Sequence, residues 1–105
     1  MSANVSKVRV QTQDFSVPEE YALIADDNSD GAVVTFVGKV RDFNDGSAVT
    51  DLTLEHYPGM TESVLNQIAT EARERWPLNK VTIIHRVGTM SLGEQIVFIL
   101  SLIHI

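Results

Sequence analysis

The chain has 105 residues, of which 44% are hydrophobic and 21% charged, so it has room for a single domain around one modest core. Fourteen acidic residues against eight Lys and Arg give a formal net charge of -6, which argues against nucleic-acid binding and against adhesion to an anionic membrane. The absence of cysteine excludes disulfides, thiolate metal sites and cysteine nucleophiles. Since we find no targeting segment and no stretch of about 18 apolar residues, we expect a cytoplasmic protein.

The first forty residues predict a strand, a helix and a second strand. Residues 5–10 alternate apolar and polar side chains, which is typical of a short edge strand. A capping Ser16, with Pro18 in the first turn, predicts a helix that ends near residue 26. Residues 32–40 are apolar and β-branched almost throughout, which predicts a central strand covered on both faces.

The rest of the chain predicts one long helix among three further strands. The helix covers residues 60–76, where apolar side chains recur at helical spacing and a proline follows. Strands are expected at 49–57, 80–87 and 94–105, with a turn at 88–93. The order β-α-β-β-α-β-β indicates one α+β domain with a mostly antiparallel sheet, and the pattern alone favours a ferredoxin-like β-α-β-β-α-β sandwich.

Two cations close the predicted strand at residues 32–40. Lys39 and Arg41 alternate along the chain, so both side chains are expected on one face of an otherwise acidic protein. They indicate either a solvated strand end or an anion clamp, in which Arg41 offers a planar fork to phosphate or carboxylate and Lys39 a point charge. Gly38 and Lys39 do not form a phosphate loop, because the required glycine spacing and the following Ser or Thr are absent.

The histidines and the single tryptophan carry weaker signals. His56 and His85 lie on apolar strand faces, which is typical of hydrogen-bonded core or interface histidines. Neither has the spacing of a metal site, so we predict no metal ligand. We also expect no cofactor. Trp76, at the end of the long helix, is expected in the core.

Five stretches carry more specific information than the periodicity. They are residues 30–41 (DGAVVTFVGKVR), 54–60 (LEHYPGM), 76–78 (WPL), 84–88 (IHRVG) and 93–98 (GEQIVF). In this order and spacing they resemble the MoaE family, the large, catalytic subunit of molybdopterin synthase. The resemblance extends from about residue 15 to residue 98, and its first two stretches are long and specific.

The resemblance implies a fold, an activity and partners. It implies an α/β-hammerhead fold instead of the ferredoxin-like one, and a homodimer. In this family each large subunit binds a small ubiquitin-like sulfur-carrier subunit, whose C-terminal Gly-Gly carries a thiocarboxylate and enters a pocket. Two sulfurs pass to cyclic pyranopterin monophosphate and form the dithiolene of molybdopterin. This step of molybdenum cofactor biosynthesis needs no metal.

The resemblance also implies roles for individual residues. Lys39, Val40 and Arg41 match the family's first substrate-binding segment, which supports the anion clamp because the substrate carries a phosphate. We expect Arg41 to hold the substrate phosphate or the incoming terminal carboxylate, with Lys39 as a supporting charge. The predicted supporting residues of the pocket are Phe36, His56 and Arg86.

The sequence departs from the family after Phe98. The family continues with a Ser-Ala-His-Arg-type stretch, a helix and a loop whose lysines are credited with catalysis. In this chain no lysine follows Lys80, residues 99–105 (ILSLIHI) are atypical, and His104 is not followed by Arg. We therefore assign no catalytic residue, and we interpret the tail as a truncated, frame-shifted or incomplete end.

The tail also bears on association and activity. Without the family's helix, one sheet face should be uncovered, so we predict that the chain self-associates through a dimer interface or by edge pairing. An alternative function is a non-catalytic module that dimerises or binds the small subunit without sulfur transfer.

Overall fold

Strands and helices account for most of the residues described by the computed structural model, which are 6–24, 30–41 and 51–103. In chain order the elements are β1 (Ser6–Gln11), α1 (Val17–Ile24), β2 (Ala32–Lys39), β3 (Asp51–Leu54), α2 (Met60–Arg75), β4 (Leu78–Arg86), β5 (Gly88–Ser91) and β6 (Gln95–Ile103). Neither α1 nor α2, the helices of these ranges, is long and apolar enough to cross a membrane.

Four strands form the main sheet, in the order β1-β4-β6-β2. β1 runs parallel to β4, whereas β6 is antiparallel to both β4 and β2. β3 and β5 pair antiparallel in a second, two-stranded sheet. The predicted α+β class with a mostly antiparallel sheet is confirmed. The ferredoxin-like alternative is wrong, because it needs the third strand in the main sheet and β3 pairs with β5 instead.

One face of the main sheet, which we call the first face, holds the larger core. Phe98, Leu100 and Leu102 alternate along β6, point to this face and are fully buried. Ile84 of the neighbouring β4 joins them, and the ring of Phe15 lies 5.6 Å from that of Phe98. Because partly buried residues of α1 pack on the same cluster, α1 and the loop before it cover the first face.

The opposite, second face is covered over part of its width. Apolar residues of β4 pack there against Ala69 of α2, which lies mainly over β1 and β4. On the β2–β6 side of this face, Val34, Phe36 and Ile99 are 52%, 57% and 37% exposed. We call these three residues the open strip. The structure therefore agrees with the expectation of uncovered sheet surface, although α2 covers the other half of the face.

β2 lies at an edge of the main sheet, so the prediction of a central strand covered on both faces is wrong. It pairs with β6 on one side, and the four residues 33–36 are all exposed. A run of β-branched residues suits a covered strand and an edge strand equally well, so the pattern alone does not distinguish them. β1, at the opposite edge, is the edge strand that its alternation predicts.

Two other expectations need correction. β5 occupies part of the predicted turn at 88–93, because Met90 is fully buried and residues 88–91 pair with β3. Trp76 is 57% exposed, whereas the sequence places it in the core. It follows the last residue of α2 in an extended conformation, so its side chain leaves the apolar stripe of the helix.

The remaining predicted elements are present with shifted ends. α2 matches the predicted helix to within one residue, and β4 and β6 lie within or close to their predicted spans. Residues 99–103 of the atypical tail are part of β6 and pair with β2. The predicted helix end near residue 26, the strand start at 49 and residues 104 and 105 lie outside the described residues.

Candidate functional site

Lys39, Val40 and Arg41, which we call the cationic segment, lie at the end of β2. Lys39 is the last residue of the strand. Lys39 and Arg41 are exposed, whereas Val40 between them is only 3% exposed. A buried apolar residue between two exposed cations anchors the backbone that carries both charges.

Backbone hydrogen bonds attach the cationic segment to the turn before β6. The N–H of Val40 donates to the carbonyl oxygen of Glu94 at 2.9 Å, and the N–H of Gly93 donates to the carbonyl oxygen of Val40 at 2.9 Å. Lys39 pairs with Gln95, the first residue of β6. The backbone that carries the two cations is therefore held by the turn at residues 91–94.

Arg86, the last residue of β4, is a buried charge that contacts the start of β6 next to this turn. It is 6% exposed, and its guanidinium donates from Nε and Nη2 to the carbonyl oxygen of Thr12, at 3.1 and 3.0 Å. Nη1 donates to the carbonyl oxygen of Gln95 at 2.9 Å and to Glu94 Oε1 at 3.3 Å. Asp14 Oδ1 lies 3.9 Å from Nη1. Since these partners occupy most of the guanidinium donors, the geometry suits support of neighbouring residues more than contact with a ligand.

The two carboxylates beside Arg86 are held in their ionised form. The pKa of Asp14 lies below its ordinary value because Gln95 Nε2 donates to Oδ1 at 2.9 Å, and a backbone N–H and the charge of Arg86 lower it further. The pKa of Glu94 is also lowered, first because the N–H of Ser91 donates to Oε2 at 2.5 Å and then because of Arg86. Both carboxylates are thus negative at neutral pH and surround a buried cation.

Phe36, like Arg86 a predicted supporting residue, also lies close to the cationic segment. Its Cε1 lies 3.7 Å from the position that a Cβ on Gly38 would occupy. That Cβ would also lie 2.8 Å from Cγ1 of Val97 on β6, so a glycine is needed for this close approach of the strands. The ring of Phe36 therefore flanks the residue that precedes Lys39.

His56 is not held to the cationic segment by strand pairing. It follows β3, which pairs with β5 in the second sheet. The side chain is half-buried, and its Nδ1 is buried without a hydrogen-bond partner in the described part of the chain. At Nδ1 the described residues therefore do not show the hydrogen-bonded histidine that the sequence predicts, although buried polar atoms usually have a partner. A supporting role for His56 stays a prediction.

Two surface grooves lie along α2. The larger, of about 310 Å³, is lined by Met60, Thr61, Val64, Leu65 and His85, and the smaller, of about 190 Å³, by Ile68, Glu71, Ala72, Arg75 and Trp76. Neither groove is lined by Lys39, Val40 or Arg41. His85 Nδ1 lies 2.7 Å from the carbonyl oxygen of Arg86, which confirms a hydrogen-bonded histidine. Within residues 6–24, 30–41 and 51–103, no group of three or more His, Asp or Glu is placed to hold a metal ion.

Asp14 and Glu94 are contributors that sequence reasoning does not single out. Each is one of fourteen acidic residues, and neither has a motif spacing toward Arg86. They meet Arg86 because Gln11, at the end of β1, pairs with Arg86, and because β6 starts alongside it. The only sequence signal for Glu94 is its place in the stretch at residues 93–98.

Comparison with known proteins gives consistent matches. The sequence profile of the family described as MoaE protein matches residues 10–102. The chain is 57% identical over 94 residues to the molybdopterin synthase catalytic subunit of Escherichia coli (strain K12), covering 90% of this chain and 63% of that protein. Molybdopterin cofactor biosynthesis protein E from Burkholderia multivorans ATCC 17616 superposes with a TM-score of 0.84 at 45% identity, covering 97% of this chain and 66% of the other. Molybdopterin synthase from Staphylococcus aureus superposes with a TM-score of 0.82 at 28% identity, covering 100% of this chain and 73% of the other.

These matches bear on the fold and on the family. The chain spans about 63% of the length of the Escherichia coli protein that it matches. The expected MoaE-like fold is confirmed by the superpositions on solved structures. Since the family profile covers most of the sequence, from β1 to β6, the chain belongs to the MoaE family.

Proposed function

We propose that this chain provides the cationic segment of a molybdopterin synthase catalytic subunit. In this function, sulfur passes from the thiocarboxylated C-terminus of a small ubiquitin-like subunit to cyclic pyranopterin monophosphate and forms the molybdopterin dithiolene, without a metal. The partners are that small subunit, with its Gly-Gly tail, and a second copy of the chain, in the cytoplasm. Support comes from membership of the MoaE family and from the name of the Escherichia coli relative.

The observation that carries the proposal is the attachment of the cationic segment to the turn at 91–94. Binding costs free energy for ordering loops as well as side chains, so a backbone that is already held by hydrogen bonds favours capture of a phosphate by the cations it carries. Val40 is buried and makes two backbone hydrogen bonds to that turn. Arg41 then offers a planar fork and Lys39 a point charge. Two exposed cations on one segment also attract anions in a chain of net charge -6.

The proposal assigns binding, not catalysis, to residues 39–41. Chemistry at a thiocarboxylate needs a positioned amine or general acid. The lysines of the chain are Lys7, Lys39 and Lys80. Lys7 lies on β1, at the opposite edge of the main sheet from β2, and its Nζ is 3.5 Å from a carboxylate oxygen of Glu20. Phe36 and Arg86 support the segment in this proposal, and His56 supports the pocket.

Binding of cyclic pyranopterin monophosphate to the full chain, measured by calorimetry, tests the role of Arg41. Arg41→Ala should weaken binding about ten- to a hundred-fold, since a hydrogen bond to a charged group contributes about 1.5–3 kcal/mol. Arg75→Ala removes an exposed cation in the last turn of α2 and serves as the matched control, with affinity expected to equal that of the parent chain. Equal affinity of the Arg41→Ala and parent chains would overturn the assignment.

Single-turnover conversion of the same substrate, with thiocarboxylated small subunit, separates the two functional alternatives. Product formed at a rate close to that of a longer relative would mean that this chain carries the complete chemistry. Retained binding of the small subunit without product would favour the non-catalytic module.

A further inference from the structure

We propose that Glu94, held by Arg86, is the positioning residue of the cationic segment. This inference rests on the proposed function, because the segment matters only if it binds an anion. Glu94 contacts the segment through its backbone and Arg86 through its side chain. It therefore connects a buried charge to two exposed ones.

The buried end of this connection is rigid. The guanidinium of Arg86 bonds to the carbonyl oxygens of Thr12, after β1, and Gln95, at the start of β6. These two carbonyls belong to strand ends on either side of β4. Arg86 is 6% exposed, so solvent competes little for its donors. Arg86 therefore offers a fixed partner to the carboxylate of Glu94, whose side chain is itself 42% exposed.

The side chain of Glu94 closes the turn at 91–94. Its Oε2 accepts the N–H of Ser91 at 2.5 Å, while Oε1 accepts from Arg86 at 3.3 Å. The backbone of the same turn bonds to Val40 in both directions. The backbone also closes this turn, since the N–H of Glu94 donates to the carbonyl oxygen of Ser91 at 3.1 Å. Loss of the carboxylate would therefore loosen the turn, and with it Val40, while the core on the first face keeps its contacts.

The turn also holds the chain on the far side of residues 42–50. Ser91 pairs with Asp51, the first residue of β3, and its Oγ donates to Asp51 Oδ1 at 3.0 Å. Val40 and Asp51 are therefore attached to the same four-residue turn. The carboxylate of Glu94 thus helps to hold the chain on both sides of residues 42–50, at Val40 and, through Ser91, at Asp51.

Hydrogen exchange and phosphate binding on the full chain test the inference. Glu94→Ala removes both side-chain bonds from a partly exposed position, where no core packing is lost. The amides of Val40 and Gly93 should exchange about tenfold faster, the effect of losing about 1.4 kcal/mol of local stability, while those of Leu100 and Leu102 keep the parent rates. The dissociation constant for inorganic phosphate should rise several-fold. In a chain that already carries Arg41→Ala, adding Glu94→Ala should raise it no further.

Glu62→Ala is the matched control, because Glu62 also accepts a backbone N–H from three residues earlier, that of Gly59 at 3.0 Å. It should leave the exchange rates of Val40 and Gly93 and the dissociation constant for phosphate unchanged. Parent-like exchange of Val40 and Gly93 in the Glu94→Ala chain would refute the positioning role, even if phosphate binds. If the parent chain binds no phosphate, the anion clamp fails, and faster exchange at Val40 and Gly93 would still support the connection from Glu94 to the segment.

Discussion

Buried charged side chains in this molecule pair with charged residues of a different helix, strand or loop. Glu20 of α1 has 11% of its side chain exposed and accepts from Arg9 at 2.6 Å and from Lys7 at 3.5 Å, both on β1. The two cations remain about 40% exposed, so most of the desolvation falls on the carboxylate. This pairing fixes α1 on the first face, as Arg86 fixes the loop before α1 at the other end of β1.

The carboxylates around Arg86 should make folding sensitive to acid. The pKa values of Asp14 and Glu94 are lowered in the folded chain, so the folded state binds fewer protons than the unfolded one near their titration. The resulting stabilisation is present above the ordinary carboxyl pKa of about 4 and is lost as pH falls through the lowered folded values. Urea unfolding at about pH 7 and about pH 3 measures this loss.

Two variants isolate the contribution of the cluster to that loss. Asp14→Asn and Glu94→Gln each remove one titrating group beside Arg86, so each should lose less stability between the two pH values than the parent chain does. The double variant should lose least. Parent-like pH dependence in all three variants would mean that acid acts elsewhere in the chain.

At the scale of elements, the contact of β2 with β6 depends on the missing side chain of Gly38. An added Cβ would lie 2.8 Å from Val97 Cγ1, a branched side chain with little freedom to move. Gly38→Ala should therefore lower the free energy of unfolding by about 1–3 kcal/mol. In a Val97→Ala background the same substitution should cost less, because the clash is gone. A double-mutant cycle from urea unfolding checks this, and strictly additive effects would contradict the steric explanation.

The sequence predicts elements better than it predicts their neighbours. Spacing alone locates α2 and the alternating strands, since helix and strand periods depend on local geometry. The position of β2 at an edge is set by which strand pairs with β6, and residues 32–40 carry no signal for that choice. β5 is missed because the glycines at 88 and 93 resemble a turn, while pairing with β3 and burial of Met90 decide the outcome.

The same limit applies to the candidate site. Lys39 and Arg41 are predictable because two alternating cations end an apolar run in an acidic chain. Arg86 enters through resemblance to the family, and its bonds to Thr12 and Gln95 arise from strand pairing. Glu94 is invisible to local patterns because its partners lie in other parts of the fold, Arg86 on β4 and Val40 directly after β2.

At the scale of the whole molecule, apolar surface remains exposed beside an unpaired strand edge. The open strip of Val34, Phe36 and Ile99 lies on β2 and β6, and the outer edge of β2 pairs with no other strand in the described ranges. His85, which lines the larger groove along α2, pairs with Val97 of β6, the strand that carries Ile99. Exposed apolar side chains beside a strand edge that no described strand pairs favour association.

Self-association should therefore depend on the open strip. Sedimentation velocity at tens of micromolar, about the range where exposed apolar surface drives association, should detect dimers or larger species of the parent chain. Val34→Lys places a charge on the edge strand and should shift the chain toward monomer. Leu23→Lys changes another exposed apolar residue, on α1 over the first face, and should leave association unchanged. A parent chain that sediments only as monomer would contradict both the open strip as an interface and the second copy as a partner.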